Sequence, residues 1–73
     1  KSYRDSKSEL QEFVQERLKV TPTYRVLEET GPAHRKLFRV GVYSNGDLLG
    51  VGEGLSKQEA ELEAAKDALT KHK

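Results

Sequence analysis

The first part of the chain repeats its apolar residues with the period of a helix. In DSKSELQEFVQERL they fall at i, i+3, i+4 and i+8, which places them on one face: Leu10, Phe13, Val14 and Leu18. Asp5 or Ser6 can cap the first turn, and Ser6 with Glu9 fits a capping box. Pro22 then stops the helix and turns the chain into an extended segment.

Three extended segments follow, separated by turn residues. The first, TYRVLEET, alternates until Leu27 interrupts the pattern. The second, KLFRVGVY, alternates clearly and places three apolar residues on one face: Phe38, Val40 and Val42. An Asn-Gly dipeptide then predicts a hairpin turn into the third segment, DLLGVGEG. The glycines of this strand share one face, which weakens a strand unless a close neighbour requires them: Gly50, Gly52 and Gly54.

The last segment, SKQEAELEAAKDALTKH, predicts a second helix that begins with a capping box of Ser56 and Glu59. It carries a stripe of small residues, broadened by Leu69: Ala60, Ala64, Ala65 and Ala68. Small residues on both a helix and a strand allow the two backbones to approach closely, so the alanine stripe accounts for the glycine face. Leu62 lies off this stripe, and we expect both Leu62 and Leu55 to face solvent.

These elements predict an α+β fold with the order α-β-β-β-α. Three antiparallel strands joined by short turns have one solvated face, so we expect both helices to pack on the other face. Seventy-three residues form one domain at most, which we place at residues 5–73, with residues 1–4 as a linker remnant. The bulk of the core is expected from branched aliphatic residues and three aromatic ones: Phe13, Tyr24 and Phe38.

Composition and charge exclude several classes of function. Thirteen Lys and Arg residues oppose twelve Asp and Glu, a net charge of +1, which argues against strong non-specific attraction to polyanions. The chain has no cysteine for disulfides or thiolate zinc sites and only two distant histidines, so no metal or other cofactor is predicted. No apolar run approaches the ~20 residues of a membrane span. We therefore expect no membrane partner, and the lack of cysteine fits a cytoplasmic origin.

Several short motifs, in this order and at this spacing, resemble the double-stranded-RNA-binding domain from about Asp5 to Leu69. They are LQEFVQ in the first helix, GPAH in the first hairpin loop, F.V.V and G.GEG in the second and third strands, and SK.EAE..AA..AL in the last helix. More narrowly, SELQEFVQERLKVTPTY and the acidic, alanine-rich last helix are similar to the C-terminal domain of bacterial ribonuclease III.

The resemblance implies that the parent protein is an endoribonuclease, a hydrolase that acts in RNA processing, including rRNA processing, in the cytoplasm. Its catalytic domain would use Mg²⁺ and would form a homodimer. That domain carries a signature of the type Glu-Arg-Leu-Glu-Phe-Leu-Gly-Asp, and nothing in this chain resembles it. We therefore expect this chain to bind double-stranded RNA without being an enzyme itself.

The resemblance also implies three regions that contact an A-form duplex, whose shallow minor groove displays 2′-hydroxyls. The first helix would contact one minor groove through polar side chains that share a helix face: Ser8, Gln11, Glu12 and Gln15. The first hairpin loop would enter the second minor groove, with Gly31 allowing the tight turn: Pro32, Ala33, His34, Arg35 and Lys36. The start of the last helix would bind the phosphates between the two grooves: Ser56, Lys57 and Gln58.

One departure from the family pattern affects the expected affinity. The family usually reads Lys-Lys-x-Ala-Lys at the start of the last helix, whereas this chain reads KQEAE, with Gln58 and Glu61 in place of two lysines. Gln58 releases no counterion from phosphate, and Glu61 lies one turn after Lys57, where it can partly neutralise that lysine. We therefore expect weaker and less salt-sensitive binding than a three-lysine domain would have.

Four alternatives can be weighed against the same residues. The acidic last helix gives some support to a protein-interaction or dimerisation domain, and the parent could equally be an RNA-binding protein that is not a nuclease. An acid–base enzyme assembled from Glu12, His34 and Lys57 is disfavoured because these residues lie on three separate elements. DNA is disfavoured as a partner because B-DNA lacks 2′-hydroxyls and has different groove widths.

Overall fold

The computed structural model describes residues 5–73 and has the predicted order of elements. The predicted linker remnant, residues 1–4, lies outside the described residues. The helices and strands are α1 (Ser6–Leu18), β1 (Thr23–Thr30), β2 (Leu37–Ser44), β3 (Asp47–Gly54) and α2 (Lys57–His72). The strands form one antiparallel sheet in the order β1-β2-β3, so the α-β-β-β-α fold with a three-stranded antiparallel sheet is confirmed.

A bulge in strand pairing and a tight turn explain two features of the sequence pattern. The register of β1 against β2 shifts between Val26 and Glu28, so Leu27 is the extra residue of a bulge. This is why Leu27 interrupts the alternation of β1. Between β2 and β3, the Asn-Gly hairpin is confirmed, because Asn45 (φ 53°) and Gly46 (φ 84°) both have the positive φ that a tight two-residue hairpin turn needs.

The face of β3 that carries glycines lies directly against the backbone of α2. A Cβ atom placed on Gly52 would lie 2.1 Å from the backbone nitrogen of Ala64, and one placed on Gly50 would lie 2.5 Å from the backbone nitrogen of Ala68. Neither position therefore has room for even one methyl group. We call this contact between the glycines of β3 and the alanines of α2 the glycine–alanine seam.

The buried core is small and mostly aliphatic: Leu10, Val14, Val40, Val42, Ala60, Ala64, Ala65 and Ala68. The aromatic side chains Phe13, Tyr24 and Phe38 pack against this cluster but remain partly exposed. The expected contribution of branched aliphatic residues is therefore confirmed, whereas the three rings pack at the margin of the core and are not fully buried. Leu55 is 63% exposed as predicted, whereas Leu62 is only partly exposed.

The first turns of the two helices are capped differently. Asp5, and not Ser6, is the N-cap of α1, since its Oδ1 accepts the backbone N–H of Ser8 at 2.9 Å. The predicted Ser6–Glu9 capping box is therefore wrong, and Ser6 already lies within the helix. The Ser8 hydrogen bond also lowers the pKa of Asp5.

Neither α1 nor α2 is long and apolar enough to cross a membrane, within the part of the chain that the structure describes.

The cap of α2 follows the predicted pattern with one change. The Ser56 Oγ accepts the backbone N–H of Glu59 at 3.1 Å. The reciprocal bond comes from Leu55, whose backbone N–H donates to Glu59 Oε1 at 3.0 Å. Together these bonds fix the entry of the chain into α2.

Candidate nucleic-acid interface

The four predicted residues of α1 line one shallow groove. Its volume is about 240 Å³, and its lining is Ser8, Gln11, Glu12 and Gln15, which we call the α1 surface. All four side chains are exposed, and the Gln15 Nε2 donates to Thr21 Oγ1 at 3.3 Å. Amides and hydroxyls both donate and accept hydrogen bonds, so this groove offers the chemistry that ribose hydroxyls and base edges require.

The first hairpin loop, residues 31–36, is held by its own backbone. The Arg35 N–H donates to the Pro32 carbonyl at 2.9 Å, and Gly31 adopts φ 96°. A Cβ atom at Gly31 would lie 2.6 Å from the Arg35 carbonyl oxygen, so both sterics and the positive φ require glycine here. The turn therefore presents His34 and Arg35 to solvent on a stiffened support.

A cavity of about 250 Å³ opens between this loop and the rest of the fold. Loop residues Ala33, His34, Arg35 and Lys36 line one side of it, and Phe38 and Leu55 line the other. The sequence pattern did not single out Phe38 or Leu55 as site residues. Its only signal for Phe38 was the alternation of β2, which marks the ring as a core residue.

Phe38 also brings the start of α2 next to the loop. The Lys57 Nζ lies 5.9 Å from the centroid of the Phe38 ring, within cation–π distance. Gln58 follows Lys57 and is exposed. Predicted loop and helix residues that are about twenty positions apart in sequence therefore lie near one aromatic ring.

Two lysines of this region have carboxylate partners within the domain. The Lys36 Nζ lies 3.1 Å from Glu29 Oε1, and both side chains are about 40% exposed. The Lys7 Nζ lies 2.6 Å from Glu61 Oε1. The counterion of Glu61 is therefore Lys7 from α1, and the expectation that Glu61 neutralises Lys57 is wrong. Within residues 5–73, no carboxylate forms an ion pair with Arg35 or Lys57.

The Lys7–Glu61 pair surrounds a partly buried tyrosine. The Lys7 ammonium lies 4.9 Å from the centroid of the Tyr24 ring, and the Tyr24 hydroxyl is buried with no hydrogen-bond partner among the described residues. Burial, followed by the negative charges of Glu61 and Asp5, raises the pKa of Tyr24 to about 12. This tyrosine therefore stays neutral and contributes packing where α1, α2 and β1 meet.

The structure groups the predicted residues into two openings. The α1 surface forms one, and the hairpin loop with Phe38 and Leu55 forms the other, while the predicted residues at the start of α2 line neither. Glu12 and His34 line different openings, and Lys57 lines neither, so the three residues of the enzyme alternative share no pocket. Among residues 5–73, no group of three or more His, Cys, Asp or Glu side chains is placed to hold a metal ion.

A large cleft, about 800 Å³, lies elsewhere, between the free edge of β3 and α2. It contains none of the predicted site residues. In this cleft Asp67 Oδ2 accepts the backbone N–H of Val51 at 2.9 Å and pairs with Lys71 at 3.0 Å. The hydrogen bond from Val51 and then Lys71 lower the pKa of Asp67. The Asp67 carboxylate thus satisfies a backbone N–H donor at the edge of the sheet, and its role there is structural.

Comparisons with known proteins identify the family and the fold. The model of the double-stranded RNA binding motif family matches residues 6–72. Ribonuclease 3 of Syntrophomonas wolfei is 54% identical over 67 residues, which are 92% of this chain and 29% of that protein. Ribonuclease 3 of Bacillus licheniformis is 51% identical over 67 residues, 92% of this chain and 27% of that protein. The chain thus spans less than a third of the length of these relatives.

Solved structures show the same fold. A structure of Arabidopsis HYL1, described for its implications for miRNA processing, has a TM-score of 0.78 at 34% identity and covers 93% of this chain and 96% of its own. The structure of Dicer from Pichia stipitis has a TM-score of 0.72 at 38% identity and covers 89% of this chain and 31% of its own. Together with the family match, these likenesses confirm the resemblance inferred from the sequence motifs: the chain belongs to the double-stranded RNA binding motif family.

Proposed function

We propose that this chain binds double-stranded RNA by its A-form shape. The α1 surface enters one minor groove, the hairpin loop enters the next one, and the start of α2 meets the phosphates between them. Domains of this kind span about 16 base pairs in this way. The observation that carries the proposal is that Phe38 lines the cavity of the His34 loop and also lies within cation–π distance of Lys57, because this sets a phosphate-binding group near a minor-groove probe.

Each of the three surfaces offers the chemistry that its part of the duplex requires. Uncharged donors and acceptors on the α1 surface suit 2′-hydroxyls. His34, exposed on a stiffened turn, donates to a 2′-hydroxyl or a base edge, and Arg35 reaches the adjoining phosphates. At the start of α2, free backbone N–H groups and the positive end of the helix dipole favour phosphate, and Lys57 adds a full charge.

The expected affinity is low because few cations are available. The start of α2 carries one lysine where the family usually carries three, and Lys36 is paired with Glu29. We propose that the chain presents duplex RNA to a linked ribonuclease III catalytic domain that uses Mg²⁺ and forms a homodimer. Two weak RNA-binding domains joined in one dimer gain affinity through their linkage. The chain itself acts by binding and not by catalysis.

A direct test is a titration of residues 1–73 with a duplex RNA of about two helical turns and with DNA of the same sequence, each at several salt concentrations. We expect binding to RNA alone, with a slope of log affinity against log salt that corresponds to few phosphate contacts. Equal affinity for DNA would contradict the shape mechanism. A folded chain that binds neither duplex would overturn the proposed function.

A protein-interaction role is the second candidate, and one observation favours it. On the face of the sheet opposite the helices, Leu27, Tyr43 and Leu48 cluster over Gly41, and Leu27 and Leu48 are 43% and 51% exposed. Exposed apolar clusters of this kind mark contact sites. Sedimentation equilibrium of the chain without RNA distinguishes the two candidates, because the RNA-binding proposal predicts a monomer and a dimerisation domain predicts self-association.

A further inference from the structure

Two lysines on the side of the domain that we assign to RNA are held by the domain's own carboxylates. Lys36 follows Arg35 in the hairpin loop and pairs with Glu29 of β1 at 3.1 Å. Lys7 precedes Ser8 of the α1 surface and pairs with Glu61 of α2 at 2.6 Å. Since Glu61 lies one helical turn after Lys57, Lys7 delivers its ammonium beside the start of α2.

We propose that Glu29 and Glu61 are internal competitors of RNA phosphate and hold down the affinity of this domain for double-stranded RNA. The inference rests on the proposed function, and it assigns the attenuation to two specific residues. A carboxylate and a phosphate oxygen are both anionic acceptors for a lysine ammonium. When the duplex arrives, each lysine exchanges its carboxylate for phosphate, or the carboxylate stays and repels the phosphate.

The exposure of these pairs allows the exchange. The side chains of Lys36 and Glu29 are 41% and 40% exposed, and those of Lys7 and Glu61 are 38% and 27% exposed. The Lys36–Glu29 pair is exposed and the Lys7–Glu61 pair is partly buried; ion pairs that solvent reaches are weak and are screened by salt, so both open without unfolding the domain. Their effect is therefore a graded reduction of affinity and not a block.

The chain provides a matched control for each carboxylate. Glu28 is the neighbour of Glu29 in β1, but its partner is Arg39, 3.9 Å away, which also pairs with Glu53 of β3. Glu63 is close to Glu61 in α2, but it pairs with Lys66 and lines the large cleft beside β3. In each pair, replacing either glutamate by glutamine removes one negative charge from the same element. If net charge alone decided RNA affinity, both variants of a pair would therefore change it equally.

The experiment measures the dissociation constant for one RNA duplex at several salt concentrations. It compares the wild-type chain with Glu29→Gln, Glu61→Gln, Glu28→Gln and Glu63→Gln, and circular dichroism checks that each is folded. We expect Glu29→Gln and Glu61→Gln each to bind about two- to fivefold more tightly, with the gain shrinking as salt rises. Glu28→Gln and Glu63→Gln are expected to change affinity by much less.

A double-mutant cycle separates competition for Lys36 from other effects of Glu29. In a Lys36→Gln background, Glu29→Gln is expected to give no gain in affinity, because the lysine for which carboxylate and phosphate compete has been removed. An equal gain in both backgrounds would overturn the assignment of Glu29, and equal gains in all four glutamine variants would overturn the proposal as a whole. If the wild type and every variant fail to bind RNA, the proposed function itself fails, which is a different result.

Discussion

The glycine–alanine seam and the surfaces assigned to RNA differ in how tightly their atoms are packed. In the seam, the backbones of β3 and α2 lie so close that a single methyl group has no room. The RNA surfaces consist mostly of exposed side chains, and Lys36 in the loop and Lys7 beside the α1 surface form weak ion pairs that solvent can replace. The difference implies that stability and binding are separable, because substitutions in the seam act on folding and substitutions on the surfaces act on affinity.

The largest expected effect is the loss of folding when the seam is filled. Gly52→Ala would bring a methyl group within 2.1 Å of the Ala64 backbone nitrogen. Because backbone atoms of α2 cannot move aside as a flexible side chain can, we expect a loss of about 3 kcal/mol or more in the free energy of unfolding. Gly46→Ala is the control, since nothing lies within 4 Å of its added Cβ and only its φ of +84° is strained. Urea denaturation of both variants measures the difference, and a control that costs as much as Gly52→Ala would contradict the seam.

The next effect is on affinity alone. The two histidines form a matched pair, because His34 lies in the hairpin loop and His72 lies at the end of α2, where its Nε2 is 3.1 Å from the Leu49 carbonyl. We expect His34→Ala to weaken RNA binding about fivefold through the loss of a hydrogen bond, with an unchanged melting temperature. His72→Ala is expected to keep its RNA affinity. A melting temperature that falls with His34→Ala would mean that the loop also supports the fold.

Acid is expected to weaken the fold through Asp67 and Asp5. Both have a pKa below the ordinary value of 3.8, so their stabilisation is fully present above about pH 4 and is lost as the pH falls through their lowered folded values. Asp67→Asn removes one of these charges and is expected to cost about 1 kcal/mol at pH 7. Urea denaturation at pH 7 and pH 2.5 should show a smaller acid loss for Asp67→Asn than for the wild type.

The smallest effect is expected at Tyr24, whose buried hydroxyl has no partner within residues 5–73. Tyr24→Phe is expected to change stability at pH 7 by less than about 0.5 kcal/mol, because no hydrogen bond is lost. The pKa of Tyr24 is about 10 in the unfolded chain and is raised to about 12 in the folded chain. The wild type therefore loses stability as the pH rises from about 10 to about 12. Thermal unfolding at pH 8 and pH 11 checks this, and an equal loss in Tyr24→Phe would contradict it.

The sequence predicted most of the fold because its strongest signals are local. The Asn-Gly turn, the cap at Ser56 and the matched glycine and alanine stripes can each be read within one segment. The pattern could not choose between Asp5 and Ser6 as the N-cap of α1, because both carry a suitable side-chain oxygen. It marked Leu27 as an irregularity, but the bulge itself depends on the pairing with β2.

The candidate site was harder to predict where it depends on contacts between distant segments. Lys7 and Glu61 are 54 positions apart, and no local spacing indicates that they meet. The sequence therefore paired Glu61 with Lys57, its nearest lysine along α2. Likewise, Phe38 was read as a core residue, and only the tertiary packing places its ring near both the hairpin loop and Lys57.

The central claim is that RNA lies on the α1 surface, the hairpin loop and the start of α2. The most direct measurement is an NMR titration of the ¹⁵N-labelled chain with a duplex RNA of about two helical turns, following each backbone amide. We predict the largest shifts at Gln11, His34 and Lys57 and their neighbours, with Gly41 and Leu48 on the opposite face of the sheet unchanged. Shifts confined to Gly41, Leu48 and that face would contradict the account.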